Sequence, residues 1–141
     1  MVGIFYAILG GAFITLQGVA NSRISQNIGT WQTATLTQFT GFIAALLIVI
    51  YIRDKGWRKL RHVRAIYQAG GSFAALIIYN NITAIHRIGV TLTISAVLIA
   101  QLALTFIIDS NGWFGMEKKK IKPPHLIGIG MMIAGIVILK L

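Results

Sequence analysis

The stretch "LQGVANSRI", residues 16–24, places Gln17 and Asn21 four residues apart at the end of the chain's first long apolar run. That spacing sets both amides on one face of a helix. An amide offers donors and acceptors that hydrocarbon cannot satisfy, so each must face protein, water or a solute. The same demand recurs further along, in Tyr79-Asn80-Asn81, in Ser95, and in Gln101, Thr105 and Asp109 at successive steps of four. Thr33, Thr37 and Thr40, with Gln38 alongside, form another polar row, but threonines can bond carbonyls of their own helix. The chemistry open to such a set is hydrogen bonding to a small solute. We therefore expect Gln17, Asn21, Tyr79, Asn80, Asn81, Ser95, Gln101 and Asp109 to line a substrate path. The competing role is packing between helices. Interhelical hydrogen bonds in membranes average only about 0.6 kcal/mol, a weak reason to retain so many amides.

The residues that are missing matter as much. No Asp, Glu, Lys or Arg stands in the middle of any long apolar stretch. Proton-driven export of cations commonly uses an intramembrane carboxylate that binds proton and substrate in competition. Asp109 is the one acidic candidate. It sits at the end of an apolar run, where it serves either as a cavity-mouth carboxylate or as a turn or cap before "SNGWFG". His62, His86 and His125 fall at the edges of apolar blocks, far apart, as interfacial residues rather than a metal site. There is no cysteine, so disulfides and thiolate metal sites are excluded. No nucleophile–base–acid arrangement, phosphate loop or metal-ligand spacing is present. Catalytic residues, metal and cofactor are therefore not expected, and neither is enzymatic activity.

These residues are carried by long apolar elements. The 141-residue chain is 56% apolar and 11% charged, with a mean hydropathy of +0.77, where soluble domains carry about 25% charged residues. The apolar residues come in uncharged blocks of roughly 20, the length that crosses a ~30 Å hydrocarbon layer. The blocks do not alternate as β-barrel strands would. We expect an all-α integral membrane protein with one domain over 1–141 and five spans, at about 2–21, 31–52, 65–85, 88–108 and 124–140. The first block lacks the basic flank and cleavage site of a signal peptide, so it is retained as structure. With five spans, Arg53, Lys55, Arg58, Lys59, Arg61, Arg64, Lys118, Lys119, Lys120 and Lys122 share the side of the N-terminus, against Arg23, Arg87 and Lys140 on the other. Ten against three places the N-terminus and basic loops inside and the C-terminus outside. The basic runs then act as topology signals touching anionic lipid headgroups. Nucleic-acid binding is not expected, because no soluble module accompanies them. Trp31, Trp57 and Trp113 fall near span ends, as interfacial anchors do.

Small residues recur at four-residue spacing: Gly11 and Thr15, Gly71 and Ala75, Gly130 and Ala134. Such spacing lets helix backbones approach closely in lipid. Packing within the bundle accounts for most of these pairs. In "GIGMMIAG" the alternative is a dimer interface through Gly128, Gly130, Ala134 and Gly135.

"GAFITLQGVANSRISQNIGT", "TQFTGFIAALL" and "VLIAQLALTFIIDSNGWFG" together resemble the YdcZ-type family of short inner-membrane exporters in the drug/metabolite transporter superfamily. The closing "PPHLIGIGMMIAGIVIL" is similar to the last helix of small multidrug resistance transporters and EamA-like repeats. The resemblance covers nearly the whole chain, and the run from Gln101 through Asp109 to the glycines is its most specific part. It implies a five-helix unit equal to half of an inverted-repeat transporter, in a bacterial inner membrane. Two units would pair antiparallel, with a solute site at their interface near the midplane. By position, Gln17, Asn21 and Gln101 match polar places of the family pattern, and Asp109 matches its helix-end acid. The chain departs from the small multidrug resistance group where "GAFITLQGVAN" lacks the membrane-embedded glutamate, which argues against that group's proton–cation antiport. A homodimer inserted both ways needs nearly balanced loops. A ten-to-three bias instead favours pairing with a related chain of opposite topology. The solute that suits amides and hydroxyls is neutral or zwitterionic. A non-transporting accessory subunit and a small channel are the alternative functions.

Overall fold

The computed structural model describes residues 2–53, 56, 69–113, 118 and 123–140. Most of the basic residues of the two loops, with Trp57, His62 and residues 65–68 of the expected third span, lie outside the described residues. The described chain is helical: α1 (Val2–Ile28), α2 (Thr30–Ile52), a single 3-10 turn (Ala69–Ser72), α3 (Phe73–Asn111) and α4 (Pro123–Lys140). Three stretches have the length and hydropathy of membrane crossings, Val2–Ile28, Thr30–Ile52 and Ala69–Asn111, with a shorter apolar helix at Leu126–Lys140.

Single residues punctuate these helices. α1 continues past Asn21, where the apolar run ends, as far as Ile28. Gly29 then adopts φ 92° and ψ 161°, a region open in practice to glycine alone. Its N–H still donates to the Ser25 carbonyl at 2.9 Å, and its carbonyl accepts both the N–H and the hydroxyl of Thr33, at 3.1 and 2.8 Å. One glycine thus ends α1 and starts α2. α3 contains the same device. Gly89 has φ 81° and ψ 171°, and its carbonyl accepts the Thr93 hydroxyl at 2.7 Å. The sequences match as well: "IGTWQT" at 28–33 and "IGVTLT" at 88–93, each with an asparagine eight residues before the glycine, Asn21 and Asn81. Thr33 and Thr93 are both fully buried. Elsewhere α2 closes on Arg53 in a left-handed conformation, α3 closes on Gly112 (φ 66°), and α4 opens on proline, which suits a first turn.

The chain falls into two compact units, residues 1–87 and 88–141. In the first, the buried residues of α1 and α2 are small or polar, Gly18, Asn21, Ser22, Ser25, Thr33 and Ala34, and they pack with Ile78, Ile82 and Ile85 of α3. The large apolar side chains point outward; Phe13, Phe42 and Leu47 are about three-fifths exposed. Lipid reverses the usual pattern in this way, since tails solvate Leu and Phe as well as a core would, and helices gain by close approach of small residues. Gly18 shows the approach directly, for a Cβ there would lie 3.5 Å from Ile85 Cδ1. The second unit holds α3 from Ile88 onward and α4. Its Thr105 and Ser110 hydroxyls donate to carbonyls of their own helix, at Gln101 and Ile107.

Candidate solute-binding site

α1 and α2 run back along each other from Gly29, so residues equidistant from it face one another. Asn21 meets Thr37, whose hydroxyl donates to Asn21 Oδ1 at 2.7 Å. Beside this bond lies an open groove of about 520 Å³, lined by Gln17, Ala20, Asn21 and Ile24 from α1 and by Leu36, Thr37, Thr40, Gly41 and Ala44 from α2. Ala20, Gly41 and Ala44 leave the room, while the amides and hydroxyls supply the polarity. No charged residue lines the groove. Thr40 donates its proton within α2, to the carbonyls of Leu36 and Thr37. Gln17 is exposed, and among the described residues its side chain makes no hydrogen bond.

A second polar contact joins α1 to α3 below the groove. Ser25 donates its hydroxyl to the Ser22 carbonyl at 2.8 Å. His86 Nε2 lies 3.0 Å from that carbonyl and 3.3 Å from Ser25 Oγ. A carbonyl only accepts and the serine proton is already used, so the network assigns the donating N–H to Nε2. A third contact is aromatic. Trp31 of α2 stacks on Tyr79 of α3 with centroids 4.4 Å apart and planes at 25°. Nearby, Gln38 Nε2 donates to the Gly71 carbonyl at 3.4 Å. Trp31, Gln38, Phe39, Phe42 and Ala75 border a separate, mostly apolar groove of about 430 Å³.

Of the residues expected to line a substrate path, Gln17 and Asn21 share one groove, and Thr37 and Thr40 join them there. Tyr79 lies on the aromatic contact. Asn80 is exposed, and its Nδ2 donates to the Leu76 carbonyl of its own helix at 2.9 Å, while Asn81 is half-buried. In the second unit Ser95 and Asp109 are half-buried and Gln101 is exposed. The turn after Asp109 is closed by Gly112, whose N–H donates to the Ile108 carbonyl at 2.9 Å. On α4 the expected interface residues are half-buried (Gly128, Gly135) or exposed (Gly130, Ala134). A Cβ at Gly128, Gly130 or Gly135 would meet nothing within 4 Å, and Ala134 is exposed. Sequence reasoning passed over Ser22 and Ser25 and took His86 only as an interfacial residue. Gly18, Ser22 and Ser25 form a small-residue stripe along α1 that marks a packing face, but nothing local pairs it with a histidine 61 residues on.

Over residues 2–138 the chain matches the family described as "Putative inner membrane exporter, YdcZ". The chain belongs to the YdcZ family. Its name agrees with the drug/metabolite transporter superfamily expected from the quoted motifs. The YdcZ description is one of transport, not of an enzyme class, and with the long apolar helices it supports a membrane-embedded, multi-pass protein of a transporter family. No curated protein and no solved structure matches the chain.

Proposed function

We propose that this YdcZ-family chain is one half of a secondary-active exporter of a small solute, working by alternating access as an antiparallel dimer. The observation that carries the reading is the uncharged polar groove at Asn21 and Thr37, set in a helix pair whose large exposed side chains are mostly apolar. Such a groove is costly in lipid unless water, a partner or a solute fills it.

Five spans are supported by helix length. The 39 residues of α3 are about twice the roughly 20 that cross a ~30 Å hydrocarbon layer. Gly89 divides α3 where the sequence separates spans three and four, and it does so by the device that separates α1 from α2. With five crossings the ten-to-three distribution of basic residues gives an inside N-terminus and an outside C-terminus. The same bias favours a partner of opposite topology over a second copy, and the open small face of α4, at Gly128, Gly130, Ala134 and Gly135, is where it would pack. Within the first unit, the groove at Gln17 and Asn21 is the part of the proposed solute path that the geometry supports best.

Liposome flux with and without an oppositely biased related chain tests the reading. Saturable, solute-specific exchange that requires the pair is expected. Unsaturable flux indicates a channel, and absence of flux under every pairing indicates an accessory subunit. Either result overturns the proposal.

A further inference from the structure

The groove's hydrogen-bonding groups narrow its ligand more than polarity alone does. Given that the chain transports a solute through this groove, we infer that the solute is uncharged and rich in hydroxyl or amide groups. Asn21 is only 5% exposed, and its Oδ1 is occupied by the Thr37 hydroxyl. Its Nδ2 has no partner among the described residues, yet no fully buried side-chain nitrogen or oxygen in them is left unsatisfied, so this amide N–H group opens on the groove. The site therefore presents fixed donors at Asn21 Nδ2. Thr37 and Thr40 have both committed their protons, at 2.7 Å to Asn21 and at 3.0 Å to the Leu36 carbonyl, so their oxygens turn lone pairs to whatever enters. Gln17, without a hydrogen-bond partner among the described residues, supplies one further donor group and one acceptor.

A ligand for this set must accept at one place and donate at another. Hydroxyl and amide groups do both. An organic cation finds no carboxylate among the lining residues and an anion finds no lysine or arginine, so either would be stripped of water without a counter-charge. The groove volume of about 520 Å³ admits a pentitol or an N-acetylated monosaccharide with waters to spare.

The test uses the full chain in liposomes, inserted in both orientations from detergent together with its oppositely biased relative. Four probes are compared by counterflow: xylitol, N-acetylglucosamine, tetraethylammonium and gluconate. Saturable exchange of one or both neutral probes, with neither ion moved, is the expected result. Asn21→Asp keeps an acceptor for Thr37 but removes the N–H donors, and should lower neutral exchange at least tenfold while admitting tetraethylammonium. Because Asn21 is buried and its variant can misfold, Gln17→Glu at an exposed position should shift selectivity in the same direction. Tetraethylammonium or gluconate carried by the unaltered chain overturns the solute class but leaves the transport reading standing. Neutral exchange unchanged in a well-folded Gln17→Glu variant also overturns the class. No saturable exchange of any probe overturns both.

Discussion

Asn21 carries two roles that mutation can separate. Its Oδ1 ties α1 to α2 through Thr37, and its Nδ2 opens on the groove. Thr37→Val removes the tie while keeping shape, so the loss should be that of one interhelical bond, about 0.6 kcal/mol on average and up to about 1.7. Equilibrium unfolding in mixed micelles of rising denaturing-detergent content reads this directly. A double-mutant cycle with Asn21→Leu should give a coupling of the same size, and additive single effects would mean that the 2.7 Å contact contributes nothing. His86 offers a parallel case. His86→Ala removes a donor from the Ser22 carbonyl and Ser25, and should cost a similar amount, whereas Ser25→Ala should cost less, since the hydroxyl donates within its own helix. Gln17 is different in kind, being exposed and unbonded among the described residues, so Gln17→Leu should leave stability unchanged and reduce transport. Transport retained in full by Gln17→Leu and Gln101→Leu would make these amides packing residues.

At the scale of elements, glycines divide into those that set geometry and those that only permit it. Gly29 and Gly89 occupy a backbone region that costs another residue about 1–3 kcal/mol. Gly29→Ala and Gly89→Ala should lose similar amounts, because a Cβ at 29 would meet only the movable end of the exposed Gln32 side chain and at 89 it meets open space. Gly10→Ala, in a regular turn with nothing within 4 Å, should gain about 0.5–1 kcal/mol. The same unfolding measurement ranks the three, and equal losses at 10, 29 and 89 would refute the assignment of a special role to the two turn glycines. The elements themselves were largely legible in the sequence because lipid enforces both length and hydropathy on a crossing. Where α1 stops was not. Its apolar run ends at Asn21, yet the helix continues to Ile28, since Asn21, Ser22 and Ser25 face neighbouring helices and not water. Gln17 and Asn21 were legible as a pair by their spacing, but Thr37 stood out only as one threonine in a row. Which of Thr33, Thr37 and Thr40 crosses to α1 depends on where Gly29 folds the chain back. Ser25 and His86 meet through tertiary packing that no local pattern encodes.

For the whole molecule the governing quantity is the distribution of charge along the chain. On the proposed five-span arrangement ten basic residues stand against three, which would bias insertion one way, and a chain held in one orientation would not form the proposed inverted pair with itself. Changing Arg53, Lys55, Arg58, Lys59, Arg61 and Arg64 to Gln would leave four against three, near the balance that allows insertion both ways. The chain has no cysteine, so a single Leu141→Cys substitution reports orientation without background. In intact spheroplasts the parent should react almost completely with a membrane-impermeant maleimide. The neutralised variant should split into a reactive fraction and one that reacts only after lysis. Self-pairing should follow orientation: crosslinking between copies should be weak in the parent and rise severalfold in the variant, because only then are both orientations present in one membrane. A parent that reacts only after lysis would invert the topology. A parent that already crosslinks as an antiparallel homodimer in its native membrane would remove the need for an oppositely biased partner.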